Sequence, residues 1–167
     1  AFLNWESSGG ARYFQVRTNR LFRDTSAWYH IVVALDTTQS TAANRVKIYV
    51  NGTQETSLSA TQYGSQNDDL AINNTVNHYL GAGSSAGTVG SYFDGYIAEV
   101  NLIDGTALTA DSFGETKDGI WIPKDTSGLT FGTNGFHLTF KDDVISEGFN
   151  TVTYTGTGAN QSLSGLG

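Results

Sequence analysis

The sequence predicts an all-β fold in which two antiparallel sheets pack face to face, accompanied by one short helix. Several segments alternate apolar and polar residues with a period of two, which places apolar side chains on one face of a strand. The 167 residues include 20 glycines and one proline, a composition that favours short strands joined by tight turns. Only residues 108–114 carry a helical pattern, with Thr109 as the expected N-cap and Gly114 as the expected stop.

Two neighbouring segments give the clearest strand patterns. Residues 28–36 carry apolar side chains on both faces, which predicts a central strand. Residues 45–50 alternate, with three β-branched side chains expected inward and the other three, Tyr49 among them, expected in water. Asn51 and Gly52 follow directly, and because both residue types tolerate positive φ they predict a type I′ turn into residues 53–56.

Further strands and loops are expected along the chain. Two apolar stretches, residues 13–17 and 21–23, predict a hairpin around residues 18–20. The remaining strand patterns cover residues 78–81, 92–103, 136–140 and 150–155. Segments rich in glycine, serine, threonine and asparagine predict loops at residues 36–44, 59–76 and 82–91.

Charge and composition exclude several classes of function. Nine Lys and Arg residues against 16 Asp and Glu residues give a net charge of −7, which would repel nucleic acid and anionic lipid headgroups. No apolar run approaches the roughly 18 residues needed to span a bilayer, so we expect no membrane insertion. The sequence contains no cysteine, which excludes disulfides, thiolate zinc sites and cysteine nucleophiles.

Four segments in a fixed order carry a family resemblance. They are residues 23–32 (RDTSAWYHIV), 45–52 (RVKIYVNG), 78–81 (HYLG) and 92–108 (YFDGYIAEVNLIDGTAL). In this order they resemble the concanavalin A-like, laminin-G-like domains of bacteriophage tail proteins and other virion proteins. The resemblance runs through about residues 12–145 and implies a two-sheet antiparallel jelly-roll sandwich.

The resemblance also implies a domain organisation. A laminin-G-like jelly-roll domain is expected over residues 1–148, and a C-terminal strand or linker toward a following domain over residues 149–167. Domains of this family usually begin with one or two further strands, so N-terminal strands are expected to be missing. We therefore expect the sequence to be part of a larger protein.

The function implied by the resemblance is binding rather than catalysis. A non-enzymatic, lectin-like domain of a phage tail fibre or appendage is expected, extracellular on the virion, homo-oligomeric, and bound to carbohydrate of the bacterial surface. The alternative is a structural or decoration module that contacts other virion proteins. A remnant glycoside hydrolase is a third hypothesis, because fold alone does not decide function.

Residues 99–104 bear on the hydrolase hypothesis. Jelly-roll glycoside hydrolases carry carboxylates along one strand in the pattern Glu-x-Asp-x-x-Glu, and retaining hydrolysis needs two carboxyl groups about 5–5.5 Å apart. Asn101 stands at the middle position here. Glu99 and Asp104 differ in position parity, so a regular strand would place them on opposite faces. We therefore expect no hydrolase activity from this segment.

Loop residues supply the candidates for sugar and calcium binding. Sugar rings stack on aromatic side chains beside planar polar groups, and the candidates outside the expected core strands are Tyr63, Asn73, Asn74, Tyr92, Asp94 and Trp121. Calcium prefers carboxylate and amide oxygens, and the candidate ligands are Asp68 and Asp69, which share one polar loop with Asn73 and Asn74. Each candidate has a structural alternative, because aromatic residues also cover sheet edges and Asp and Asn also close turns.

Overall fold

The computed structural model of the chain describes residues 3–8, 11–85 and 87–140. Strands and turns dominate these ranges, which confirms the predicted all-β class. The strands are β1 (Leu3–Ser8), β2 (Ala11–Thr18), β3 (Ile31–Leu35), β4 (Val46–Val50), β5 (Thr53–Gln54), β6 (Leu58–Tyr63), β7 (Gly83–Ser85), β8 (Thr88–Gly90), β9 (Val100–Leu102), β10 (Gly114–Lys117), β11 (Ile120–Pro123) and β12 (Phe136–Leu138). Within the described ranges, no helix has the length and apolar character needed to cross a membrane.

Two three-stranded antiparallel sheets form the centre of the fold. One sheet has the order β1–β2–β6 and the other the order β3–β4–β5. Their facing side chains form a buried cluster, here called the first cluster, of Phe14, Val16, Val46, Ile48 and Leu70, with Val33, Leu35, Leu58 and Tyr63 packed against it. Because β2 and β6 contribute from one sheet and β3 and β4 from the other, the sheets pack face to face, as predicted.

The pair β3–β4 is buried on its other face as well. A second cluster joins Ala34, Tyr49 and Ala110, with Val32 and Trp121 packed against it. The prediction that Arg45 and Tyr49 face water is wrong, since only 8% and 9% of their surfaces are exposed. β3 is apolar on both faces as predicted, but β4 rather than β3 is the middle strand of its sheet.

The turn between β4 and β5 confirms the type I′ prediction. Asn51 and Gly52 have φ angles of 47° and 79°, as this turn requires. The Asn51 side-chain oxygen accepts the backbone N–H of His30 at 2.8 Å, and the Asn51 N–H donates to the His30 carbonyl at 2.8 Å. The turn is therefore attached to the start of β3 by two hydrogen bonds.

Other strand predictions are wrong in informative ways. The hairpin around residues 18–20 does not form, because β2 continues to Thr18 and pairs with β6. The Asn19 N–H then donates to the Ser57 carbonyl at 3.0 Å, which leads the chain past β6. The loops predicted at residues 59–76 and 82–91 contain most of β6 and the β7–β8 hairpin, respectively.

The strands expected in the second half are shorter than predicted. Residues 78–81 form no strand, and only β9 forms within residues 92–103, where Glu99 has a φ of 53° that breaks the extended conformation. β12 pairs with β9 and confirms part of the strand expected at residues 136–140. The strand expected at residues 150–155 and the boundary between residues 148 and 149 lie outside the described residues.

The predicted helix is a single 3₁₀ turn at Ala110–Ser112, and Thr109 occupies the N-cap position as expected. A second 3₁₀ turn, Ala42–Asn44, lies in the first predicted loop. Gly114 does not simply stop the helix. It begins β10, where a Cβ would lie 2.6 Å from the ring of Trp121, so only glycine fits at this position.

Gly52 and Gly119 form a matched pair for testing this packing. Both have a φ of 79° and both follow a residue with positive φ in a hairpin turn. A Cβ on Gly119 would meet nothing within 4 Å, whereas one on Gly52 would collide with the Trp121 ring. We expect Gly119→Ala to cost about 1–2 kcal/mol from backbone strain, and Gly52→Ala about 1–3 kcal/mol more from displacement of the ring.

Urea unfolding of the two variants and the wild-type chain measures these costs. Equal losses of unfolding free energy in Gly52→Ala and Gly119→Ala would contradict the close packing of Trp121 on the β4–β5 turn.

Candidate functional site

An open concavity of about 710 Å³ lies where β6 ends and the following loop begins. Its volume is within the range of small-molecule binding sites. The lining residues come from β6 and the two flanking loops; they are Ala42, Thr61, Gln62, Tyr63, Gly64, Ser65 and Asp68. The structure therefore brings together Tyr63, a predicted sugar-binding residue, and Asp68, a predicted calcium ligand.

Local backbone geometry fixes one wall of the concavity. Gly64 and Asn67 have φ angles of 68° and 63°, so the chain turns sharply after β6. The Asp68 carboxylate accepts the backbone N–H of Ser65 at 2.6 Å, which closes this turn. Tyr63 is half-buried because it also packs against the first cluster. Both candidates thus combine a structural role with a position at the concavity.

The loop at residues 36–44 forms the facing wall through Ala42. Two hydrogen bonds join it to the loop after β6. The Asn67 N–H donates to the Thr37 carbonyl at 2.8 Å, and the Gln66 side-chain amide donates to the Thr38 carbonyl at 2.8 Å. The relative position of the two walls is therefore set by direct contacts between the loops.

Asp36 orders the beginning of this facing loop. Hydrogen bonds from the Thr38 hydroxyl and the Gln39 amide, together with the Thr38 backbone N–H, hold the pKa of Asp36 below its usual value. The carboxylate is ionised at neutral pH, which strengthens these bonds. The negative charge of Asp36 therefore stabilises hydrogen bonds within its own loop.

The asparagine candidates belong to a different network. The Asn73 side-chain amide donates to the Asp104 carboxylate at 2.5 Å, and the Asn74 amide donates to the Asp69 carboxylate at 3.5 Å. None of these side chains lines the concavity. Asn73 and Asn74 therefore do not share a site with Tyr63, and sugar binding by these two asparagines stays a prediction.

The two calcium candidates, Asp68 and Asp69, have different hydrogen-bond partners, Ser65 and Asn74. In residues 3–8, 11–85 and 87–140, no three His, Cys, Asp or Glu side chains are grouped so that they could hold a metal ion. Calcium can also use amide and backbone oxygens, so calcium binding at Asp68 and Asp69 stays a prediction.

Glu99 and Asp104, the two acidic residues considered for hydrolase activity, also have different hydrogen-bond partners. Glu99 contacts the His137 ring at 2.6 Å, whereas the Asp104 carboxylate accepts the Asn134 N–H at 3.1 Å in addition to the Asn73 amide. Glu99 precedes β9 and has a left-handed backbone, so the alternation argument used for its side chain does not apply. What separates the two carboxylates in the structure is instead their hydrogen-bond partners, His137 for Glu99 and Asn73 and Asn134 for Asp104.

Trp121 is a packing residue rather than an exposed sugar platform. Its ring packs against the second cluster and lies against Gly52 and Gly114. Its indole N–H donates to Nδ1 of His30 at 3.1 Å. These contacts favour the structural alternative for Trp121, and sugar binding by Trp121 stays a prediction.

Tyr92 and Asp94 are exposed but do not line the concavity. Conversely, three polar residues of the concavity were not among the candidates: Thr61, Gln62 and Ser65. The signal that could have identified them is the Gly64-Ser65 pair directly after an aromatic strand residue, which marks a strand end and a turn.

The contact between His30 and Trp121 predicts a pH dependence of stability. Burial lowers the pKa of His30 below its usual value of 6.5, and the bond from Trp121 requires an unprotonated Nδ1. Because the unfolded chain binds this proton more readily, the His30 contribution is complete above about pH 6.5 and is lost as the pH falls below it.

Urea unfolding between pH 8 and pH 5 tests this expectation. The wild-type chain should lose more stability over this range than His30→Gln does. The carboxyl groups whose pKa is lowered, such as Asp36, do not interfere, since their contributions are complete above 3.8. Identical pH profiles for the two proteins would contradict the neutral His30 described here.

Comparison with known proteins gives one match. A family model described as the concanavalin A-like lectin/glucanases superfamily matches residues 2–112. The matched range includes β1 to β9 and every residue that lines the concavity. No curated protein and no solved structure matches the chain.

Proposed function

Because the chain belongs to the concanavalin A-like lectin/glucanase superfamily, we propose that it is a non-enzymatic, lectin-like domain that binds carbohydrate in the concavity at the end of β6. One observation carries the proposal: the aromatic residue Tyr63 lines a concavity of about 710 Å³ together with residues that carry hydroxyl, amide and carboxylate groups. An aromatic ring with a few oriented polar groups suits a sugar, which has apolar C–H faces and a hydroxyl rim.

The setting we propose is the tail fibre or another appendage of a phage virion, outside the cell, with a glycan of the bacterial surface as ligand. The support for this setting is the ordered resemblance of residues 23–32, 45–52, 78–81 and 92–108 to virion domains. A homo-oligomer in the virion would present several open, shallow sites together, and multivalency would compensate for weak single sites.

The non-enzymatic part of the proposal rests on the acidic residues. Glu99 is engaged by His137, and Asp104 by Asn73 and Asn134. Neither carboxylate lines the concavity, where Asp68 is the one acidic side chain among the residues that the structure describes. A single carboxylate does not provide the acid and nucleophile that glycoside hydrolysis requires. Release of reducing ends from a bound glycan, abolished by Glu99→Gln, would contradict this part of the proposal.

A second candidate function is protein–protein contact within the virion. The observation that favours it is an exposed aromatic segment: Tyr92, Phe93 and Tyr96 expose 74%, 57% and 88% of their surfaces. Exposed groups of large apolar side chains often mark protein interfaces. This segment and the concavity are formed by different residues, so a domain could use both.

Two substitutions test carbohydrate binding without altering the core. Gln62→Ala removes the side-chain amide of an exposed lining residue. Asp68→Asn removes the negative charge of the Asp68 carboxylate while keeping an oxygen that can accept the Ser65 N–H. Each should weaken binding about tenfold, equivalent to about 1.4 kcal/mol, because one hydrogen bond to the sugar is lost or weakened. Gln54→Ala, on the exposed strand β5, is the matched control and should bind normally.

A glycan array identifies the ligand, and calorimetry with that glycan measures the three variants. Selective binding that is about tenfold weaker in Gln62→Ala and Asp68→Asn and unchanged in Gln54→Ala supports the proposal. An array without binding, or binding that all three variants retain but Tyr92→Ala loses, would contradict it and favour the exposed aromatic segment as the functional surface.

A further inference from the structure

Arg45 places a buried positive charge between the two loops of the concavity. The residue precedes β4 and is only 8% exposed. Its guanidinium donates three hydrogen bonds to backbone carbonyls: Nε to Gln39 at 2.9 Å, Nη1 to Gly64 at 2.7 Å and Nη2 to Ser40 at 3.3 Å. No carboxylate in the described part of the chain forms an ion pair with it.

The three acceptors of Arg45 belong to both walls of the concavity. Gln39 and Ser40 lie in the loop at residues 36–44, which contributes Ala42 to the lining, and Gly64 lines the concavity directly. Burial of a charge is costly unless polar groups compensate for lost water. Here three backbone carbonyls that Arg45 holds together provide this compensation, so the charge and the arrangement of the loops depend on each other.

We propose that Arg45 is a positioning residue that fixes the two loops in their binding arrangement before the ligand arrives. A preformed site loses less conformational freedom on binding, and its affinity is correspondingly higher. The consequence for binding rests on the proposed carbohydrate function. The effect on the loops themselves does not, because it follows from the three hydrogen bonds alone.

Lysine cannot replace Arg45 in this role. The guanidinium carries donors on three separate nitrogens in a rigid plane, whereas the lysine ammonium is a single point on a flexible stem. Arg45→Lys therefore keeps the charge but cannot reach Gln39, Ser40 and Gly64 together. The hydrogen bonds from Gln66 and Asn67 to the facing loop can still form in Arg45→Lys. Without the bond from Arg45 to Gly64, however, the loop after β6 is held less firmly, and these remaining bonds open more often.

Hydrogen exchange and glycan binding of Arg45→Lys test the proposal together. The Asn67 amide, which donates to Thr37 across the loops, should exchange about tenfold faster, while amides of the β3–β4 ladder keep their rates. Affinity for the glycan should fall by about tenfold. Arg17→Lys is the matched control, since Arg17 is exposed on β2 and contacts Ser59 at 2.9 Å; both readouts should stay unchanged.

Each outcome decides a separate point. An unchanged Asn67 exchange rate in Arg45→Lys overturns the proposal. Faster exchange of Asn67 and of the β3–β4 amides alike assigns Arg45 to general stability and also overturns it, as does faster loop exchange with undiminished glycan binding. If the wild-type chain binds no glycan, carbohydrate binding fails, while the exchange rates still decide whether Arg45 holds the loops.

A measurement on the wild-type chain covers the case in which Arg45→Lys does not fold. The Nε–H proton of Arg45 is bonded to Gln39 in a buried residue, so it should exchange with water at least tenfold more slowly than the Nε–H of Arg17, whose hydrogen bond to Ser59 is exposed to solvent. Equal exchange rates of the two side-chain protons would show that the Arg45 hydrogen bonds do not hold the loops, and would overturn the proposal.

Discussion

Burial on both faces of the β3–β4 pair is the constraint on which the rest of the structure depends. Val33 and Ile48 lie opposite each other on one face, and Val32 and Tyr49 on the other. A fully buried side chain such as Ile48, which is 2% exposed, contributes about 1.5–3 kcal/mol. Neither face can be left in water, so β2 and β6 must cover one, while Ala110 and Trp121 cover the other.

The position of the candidate site follows from the packing of β6 on one face of the β3–β4 pair. β6 packs across the β3–β4 pair and ends at Tyr63, which packs against the first cluster and also lines the concavity. Loops on either side of this strand end are then joined by hydrogen bonds, including those of Arg45. The rigid core thus holds one wall of the site, and a buried charge holds the other, which is how a sandwich of this kind presents loops for recognition.

Local signals in the sequence predicted local structure, and tertiary contacts decided the rest. The Asn51-Gly52 turn and the two-faced character of β3 could be predicted because each depends on a few adjacent residues. Tyr49 was wrongly expected in water because its cover, Ala110 and Trp121, comes from distant segments. The Asp118-Gly119 turn, with φ angles of 52° and 79°, carries the same signal as Asn51-Gly52 and could have been predicted, but it was not. For the site, Tyr63 and Asp68 were predicted separately, but their proximity depends on packing that sequence alone does not reveal.

The measurement that tests the account most directly is amide-resolved NMR titration of the wild-type chain with the glycan that the array identifies. The account predicts shift changes in Thr61, Gln62, Gly64 and Ser65 and in the facing loop at residues 36–44, with the β3–β4 amides unaffected. Changes confined to other segments, such as residues 92–97, would contradict the claim that the core holds the strand end of β6 as the binding site.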